Sequence, residues 1–417
     1  MALSVGLLRS RDFRLLLLSR MFTVMALQAQ AIIVGWQVYS LTHDPFMLGL
    51  TGLTEALPAI VCSLVSGHLV DNNRPHFIFL CCLGALVLNT LLLFLIGGGI
   101  ITAPTAHILP FIYAGVFISG VARSFAWPAA FSLVTQLAAR SQMASASGWL
   151  NSGFQFAAVS GPAIAGLIYG GYGARVAWML PMMAMTVSFI FMASMGHEPR
   201  KWRNRAEREP AVQSILAGWR FIFHNRILLS VMALDMFAVL FGGAVAMLPA
   251  YADRILHVGA HGLGMLRAAP AIGAIISALV LAMRPMKRIA TRRLMLVIVG
   301  FGFCMIGFGL STSFALSLAF LAISGLFDSV SVIIRSTLMQ LLAPNEMRGR
   351  VSAVNSMFVI SSNEIGAFES GAAAAMFGLV PSVVIGGIGT LVVVSLTAIL
   401  SPKMLTTTVD AGDVTSG

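Results

Sequence analysis

Residues 136–152 read QLAARSQMASASGWLNS, and residues 340–356 read QLLAPNEMRGRVSAVNS. At a constant offset Gln136 matches Gln340, Met143 matches Met347, Asn151 matches Asn355 and Ser152 matches Ser356. Just upstream, after one gap, Ser119-Gly120 matches Ser324-Gly325. Each copy lies at a polar corner between two long apolar runs, and two such corners in equivalent places are what an internal duplication leaves behind.

Working outward from these corners, apolar runs cover 15–41, 46–70, 77–100, 108–137, 144–169 and 176–196, then 227–250, 263–283, 294–311, 314–341, 351–378 and 383–400. A run of about 20 residues crosses a hydrocarbon core of roughly 30 Å as a helix. Of the 417 residues, 58% are hydrophobic and only 10% charged, whereas soluble domains carry roughly 25% charged residues. The expected fold is therefore an all-α membrane protein with twelve transmembrane helices in two pseudo-symmetric six-helix bundles. HEPRKWRNRAEREPAVQ at 197–213 and the amphipathic SILAGWRFIFHNR after it separate the halves. The expected divisions are a first bundle over 1–196, a cytoplasmic linker over 197–226, a second bundle over 227–402 and a flexible cytoplasmic tail over 403–417. Trp219, Phe221 and Phe223 are expected to face the membrane interface.

The formal charge of +11 does not point to nucleic acid, because the cations lie between apolar runs rather than on one soluble face. With a cytoplasmic N-terminus, Arg9, Arg11, Arg14, Arg74, Arg140, the 200–208 and 284–293 clusters, Arg348, Arg350 and Lys403 share one side, while the opposite loops hold chiefly Arg175 and Arg254. The positive-inside rule then puts both termini in the cytoplasm of a bacterial inner membrane. The first apolar run has no small-residue cleavage site and reads as a retained helix. Cys62, Cys81, Cys82 and Cys304 lie in apolar runs without CxxC spacing, so no disulfide framework, metal site or cofactor is expected. The 24 methionines are scattered, as packing residues are. No G-x-S-x-G, HExxH or P-loop pattern occurs, and an enzyme is not expected.

Charges within the runs are the candidate site, since an unpaired charge in hydrocarbon is costly and turns toward a cavity or a partner. Arg123 lies about 20 Å along its helix from Gln136, and the gapped repeat makes Asp328 its counterpart. The two either pair or face one cavity. Asp235 lies about 14 Å into the seventh run; Glu364 and Glu369 lie in the eleventh and Glu55 in the second. A desolvated carboxylate can load and release a proton as its cavity changes sides, so these four acids are the candidates for proton coupling. Gln28, Asn151, Gln155 and Asn363 add neutral hydrogen-bonding groups and Trp127 aromatic surface, a lining suited to an amphiphilic cargo.

The corner G67-HLVDNNRPH, with Gly67, Asp71 and Arg74, resembles the loop signature of the major facilitator superfamily, although Asn72 and Asn73 stand where arginine is common. GFQFAAVSGPAIAG at 153–166, with Gly161, Pro162 and Gly166, is similar to the fifth-helix motif of that superfamily's exporters. THDPFMLGLTGLTEALPAIVCSLVSGHLVD, SFAWPA at 124–129, SILAGWRFIFHNRILL, GLGMLRAAPAIGAIISAL and PNEMRGRVSAVNS resemble the enterobactin-exporter branch. That resemblance implies a proton-coupled antiporter exporting a siderophore or a similar small amphiphilic molecule, with Gly67, Asp71 and Arg74 as a gating corner and Arg123 linked to proton movement; a monomer is expected. It also supports an acid at Glu364, but not Asp235, Arg335 or Glu369. A multidrug efflux pump, an importer and a non-transporting membrane protein are the other readings.

Overall fold

The computed structural model describes residues 6–101, 105–138, 142–196, 211–283, 288–344, 347–406 and 408–410. Within these, some helical residues, Gly67 and Asp71 among them, are described by backbone alone. The chain is built almost wholly of helices: α1 Arg11–Thr42, α2 Pro45–Asn72, α3 Pro75–Gly97, α4 Thr105–Leu137, α5 Met143–Ala193, α6 Ala211–His224, α7 Arg226–Phe241, α8 Leu248–Arg254, α9 Gly259–Met283, α10 Thr291–Leu310, α11 Phe314–Leu342, α12 Arg348–Phe377, α13 Leu379–Leu400 and α14 Lys403–Thr406. Helix is the form a long single span takes in lipid, because it satisfies every N–H and C=O within the segment.

The two repeated corners fall in equivalent places, between α4 and α5 and between α11 and α12. Among the described residues, ten helical stretches are long and apolar enough to cross a membrane. One of them, α5, covers both the fifth and the sixth expected spans. It continues through Gly173, whose φ of 79° and ψ of 179° break the helical path at a backbone conformation that glycine reaches without a Cβ penalty. The eleventh expected span is α12, 30 residues long; its Asn363, Glu364, Glu369 and serines keep its mean hydropathy below that of its neighbours. Counting α5 as two crossings and adding α12 accounts for the twelve.

Three local features add detail to the expected layout. The seventh span is one apolar stretch, Arg226–Arg254, in which α7 stops at Phe241 and a 3-10 turn at Gly243–Met247 leads into α8. The tail is not flexible from residue 403 onward. Met404 is fully buried, its carbonyl accepts a hydrogen bond from the Thr291 hydroxyl, and Thr408–Asp410 pairs antiparallel with Arg288–Ala290. Trp219 and Phe221 are half-buried against the core, Trp219 lying 5.5 Å from Phe223 and 5.1 Å from Phe358 between ring centroids, while Phe223 is exposed. The linker over 197–210 lies outside the described residues.

Two compact units emerge, Met1–His43 with Thr54–Arg208 and Gly259–Gly264, and Asp44–Leu53 with Glu209–Val258 and Met265–Gly417. The first has a core of Phe13, Leu16, Phe79, Leu83, Leu86, Leu133 and Met185. In the second, Val231, Leu234, Ile298, Ile334 and Leu338 form one cluster and Ile222, Leu228, Met232, Val351 and Val354 another. With little hydrophobic drive between helices in lipid, close backbone approach and hydrogen bonds hold the bundles. In the first unit Ser19 and Thr23 of α1 meet Ser188 of α5, at 3.0 and 2.7 Å between oxygens. There too Gly161 abuts the Met25 carbonyl and Gly166 abuts Gly264.

A Cβ at position 161 would lie 2.6 Å from the Met25 oxygen and one at position 166 would lie 2.2 Å from the Gly264 Cα, whereas one at position 171 would meet nothing within 4 Å. Gly161→Ala and Gly166→Ala are therefore expected to lose about 1–3 kcal/mol by overpacking. Gly171→Ala should be neutral, or stabilising by up to about 1 kcal/mol through helix propensity. Thermal melts of the purified variants in one detergent would check this; equal melting of all three would contradict the packing account.

Candidate functional site

The charges that the apolar runs carry come together in two clusters, one in each unit. In the first, Arg123 of α4 forms an ion pair with Glu55 of α2. Gly120, one turn before Arg123, makes this pairing possible: a Cβ there would lie 2.4 Å from the Glu55 carbonyl, so α4 and α2 touch backbone to backbone. Arg123 also lines a cleft with Trp127, one turn further on, and with Arg20 and Thr23 of α1 and Phe79 of α3. The Arg20 guanidinium lies over the Trp127 ring, 4.9 Å from its centroid, and Phe154 meets the same indole edge-on at 6.4 Å.

In the second unit, Asp235 of α7 forms an ion pair with Arg335 of α11. Both are buried, at 6% and 5% exposure, so each charge depends on the other. Asp328 precedes Arg335 by two turns on the same face of α11, with buried Ser331 between them. Asp235, Asp328 and Ser331 line one cleft together with Phe301 and Phe327. Among the described residues Asp328 has no hydrogen bond or ion pair, and it is accessible. Elsewhere in this unit Glu364 of α12 lies near enough to Arg267 of α9 for their charges to interact, and Arg267 donates to the Val245 carbonyl at 2.9 Å. Glu369 is partly buried and accepts from the Ser370 hydroxyl at 3.5 Å.

The sequence-derived candidates thus separate. Glu55, Arg123 and Trp127 come together, as do Asp235 and Asp328, while Glu364 and Glu369 stand apart from that pair. Asn151, Gln155 and Asn363 are exposed and Gln28 is partly buried; Asn363 donates back to the Val359 carbonyl of its own helix at 2.9 Å. Gln30 joins Thr90 and Ser119 in a buried network that binds α1, α3 and α4. Arg74 is the exposed residue just before α3 and makes no side-chain cap hydrogen bond to it; the surroundings of Gly67 and the side chain of Asp71 lie outside the described residues. Sequence reasoning missed Arg20 and Arg267. The available signal for Arg20 was its depth, about 14 Å into α1 from Arg11, too far for a charge of the cytoplasmic rim.

Removing one member of a buried ion pair leaves the other uncompensated, which costs about 3–5 kcal/mol, whereas replacing both by apolar residues is often neutral. Arg335→Leu is expected to lower the melting temperature sharply, and Asp235→Leu added to it is expected to restore much of the loss. Melts of the single and double variants in detergent check this; a double variant less stable than either single one would contradict direct pairing.

The Major Facilitator Superfamily profile matches residues 16–367. The chain is 26% identical over 401 residues to the enterobactin exporter EntS of Shigella boydii serotype 4 (strain Sb227), covering 94% of this chain and 92% of that protein. It has the same identity over 400 residues to EntS of Escherichia coli O6:K15:H31 (strain 536), with the same coverage. Among solved structures it is similar to a bacterial homologue of the human lysosomal transporter Spinster, with a TM-score of 0.72 at 16% identity over 95% of this chain and 98% of the other. It is likewise similar to the nucleoside transporter NupG, with a TM-score of 0.64 at 11% identity over 95% and 99%.

Proposed function

The chain belongs to the major facilitator superfamily, a family of transporters and not of enzymes, and from that premise we propose that it is a proton-coupled exporter of a small amphiphilic molecule, a siderophore or related metabolite, acting by alternating access. The substrate class rests on the 26% identity to enterobactin exporters along nearly the whole chain. Efflux is further supported by the glycine–proline stretch of α5 with its close packing at Gly161 and Gly166.

The observation that carries proton coupling is the second-unit cluster, in which two carboxylates share a cleft with one guanidinium at hand. Arg335 compensates one acid. The other is left to a proton or to an exchange of partners. Helical side chains lean toward the N-terminus of their helix, so Arg335 leans toward the turn that carries Asp328. A proton added to the Asp235 carboxylate weakens its hold on Arg335, and the guanidinium then turns to ionised Asp328; loss of that proton reverses the exchange. Such a two-position element is what couples a proton to a conformational equilibrium. Glu364, set against Arg267, and Glu369 are the other acids of this half, and Glu55 with Arg123 is the corresponding pair of the first. Gln28, Asn151, Gln155, Trp127 and Asn363 supply cavity lining in this reading, and the Gly67–Asp71–Arg74 corner is a gate.

An amide in place of the coupling acid preserves shape and removes the titratable proton. Asp235→Asn and Asp328→Asn are expected to bind and exchange cargo down its gradient in everted vesicles while losing accumulation driven by a pH difference by at least about tenfold, the usual scale of lost proton transfer. Glu364→Gln and Glu369→Gln are the comparison. Unimpaired pH-driven export in all four, singly and combined, would sink second-unit coupling. The cargo class is checked by comparing retained and secreted metabolites of a deletion strain under iron limitation, where retention of an iron chelator is expected.

The chain is further placed, in this proposal, as a monomer in the bacterial inner membrane with both termini cytoplasmic. Asn204→Cys in a cysteine-free background is expected to react with a membrane-impermeant maleimide in everted vesicles and not in intact spheroplasts. The opposite pattern would reverse the topology.

A further inference from the structure

The seventh span is interrupted, and its counterpart in the first half is not. α1 runs unbroken from Arg11 to Thr42, whereas α7 ends at Phe241 and the 3-10 turn Gly243–Met247 intervenes before α8. The cause lies at Val245 and Pro249. In a continuous α-helix the Val245 carbonyl would accept from the N–H of residue 249, but Pro249 has no N–H and its ring crowds that carbonyl. Two donors answer the carbonyl instead: the Leu248 N–H, in the tighter 3-10 manner, and the Arg267 guanidinium of α9 at 2.9 Å.

The turn is thus held from two sides. On one, Gly243 sits so close to α12 that a Cβ there would lie 2.6 Å from the Gly366 carbonyl oxygen. On the other, Arg267 reaches it from α9. Glu364, two residues before Gly366, lies near enough to Arg267 for their charges to interact, yet among the described residues no ion pair joins the two. One guanidinium therefore has two acceptors at hand, a carbonyl that it holds and a carboxylate that it does not. Because a carboxylate is the stronger acceptor for a guanidinium, a second arrangement competes with the one observed.

The repeat marks this guanidinium as a departure from the common plan. Gly52, Ala56, Pro58, Ala59 and Ile60 of α2 recur at a constant offset as Gly264, Ala268, Pro270, Ala271 and Ile272 of α9, which sets Arg267 in the place of Glu55. Glu55 binds a side chain of the neighbouring α4. Arg267 binds backbone, at a break that the first half lacks.

We propose that residues 242–247 form a hinge in the seventh span and that Arg267 is its latch: bound to the Val245 carbonyl it fixes the angle between α7 and α8, and by moving to Glu364 it lets α8 turn. Arg267 is then a positioning residue and Glu364 its alternate partner. This goes beyond the exchange at Asp235 and stands without it, since neither cargo nor a proton gradient enters.

The test is hydrogen–deuterium exchange, read by mass spectrometry on the purified full-length protein in dodecyl maltoside, at residues 248–256 with α10 as the internal reference. Arg267→Gln is expected to speed exchange at 248–256 by roughly tenfold or more, as loss of a hydrogen bond from a charged donor does, and to leave α10 unchanged. Arg267→Lys, which keeps a cationic donor, is expected to speed it by less. Glu364→Gln removes the competing anion and is expected to slow exchange at 248–256, whereas a merely structural tie between the two residues would be weakened and exchange would rise. Pro249→Ala returns an N–H to the Val245 carbonyl, so Arg267→Gln added to it should have a smaller effect than in the wild-type protein. Unchanged exchange in Arg267→Gln, acceleration shared equally by α10, unchanged or faster exchange in Glu364→Gln, or an equal effect of Arg267→Gln in both backgrounds would overturn the proposal. The Glu364→Gln arm decides the matter even where Arg267→Gln fails to fold, and vesicles that do not export leave all of these outcomes intact.

Discussion

A charge in a low-dielectric span must be answered by something within the protein, and that constraint organises this chain. Water cannot do it. Arg123 and Glu55 answer each other between α4 and α2, and Asp235 and Arg335 do so between α7 and α11. Each pair demands that two helices approach closely at one height, and the glycine at position 120 shows how backbone contact delivers that approach. Paired charges of this kind add little net stability over an apolar core, but they penalise any rearrangement that separates them. They therefore suit elements with two permitted arrangements better than elements with one.

The uneven remainder is as informative as the pairs. The first-unit cleft carries two guanidiniums, one of which pairs with a carboxylate, and the second-unit cleft carries two carboxylates, one of which pairs with a guanidinium. A bundle that only had to be stable would neutralise both. Excess of opposite sign distinguishes the two halves. Duplication supplied the common framework, and substitution at equivalent places, Arg123 against Asp328, supplied the difference.

Uncharged polar groups hold the helices as well. Buried hydroxyl and amide groups, Ser19 with Ser188 and Gln30 with Ser119, tie helices together where no charge is involved. The amide of Gln30 is consumed by structure, whereas Asn151 and Gln155 stay exposed. The same holds for aromatics, since Trp219 packs on Phe358 while Trp127 carries Arg20 on its face.

By itself the sequence determined the class of solvent, the number of crossings and the duplication, because run length against bilayer thickness and a repeated polar corner are properties of order along the chain. It also placed Glu55, Asp235, Asp328, Glu364 and Glu369 within the spans. The Lys403–Asp410 segment was misread as free because its polar composition says nothing of the strand at 288–290 that receives it. Only the tertiary structure decided that Asp235 meets Arg335, that Glu55 meets Arg123, that Glu364 lies by Arg267 and that Arg20 stacks on Trp127. Partner choice depends on which faces of distant helices turn toward each other and at what height. Residue spacing within one helix sets a charge's depth and its face, but the neighbour across the gap belongs to another helix, and its azimuth emerges only when the bundle packs.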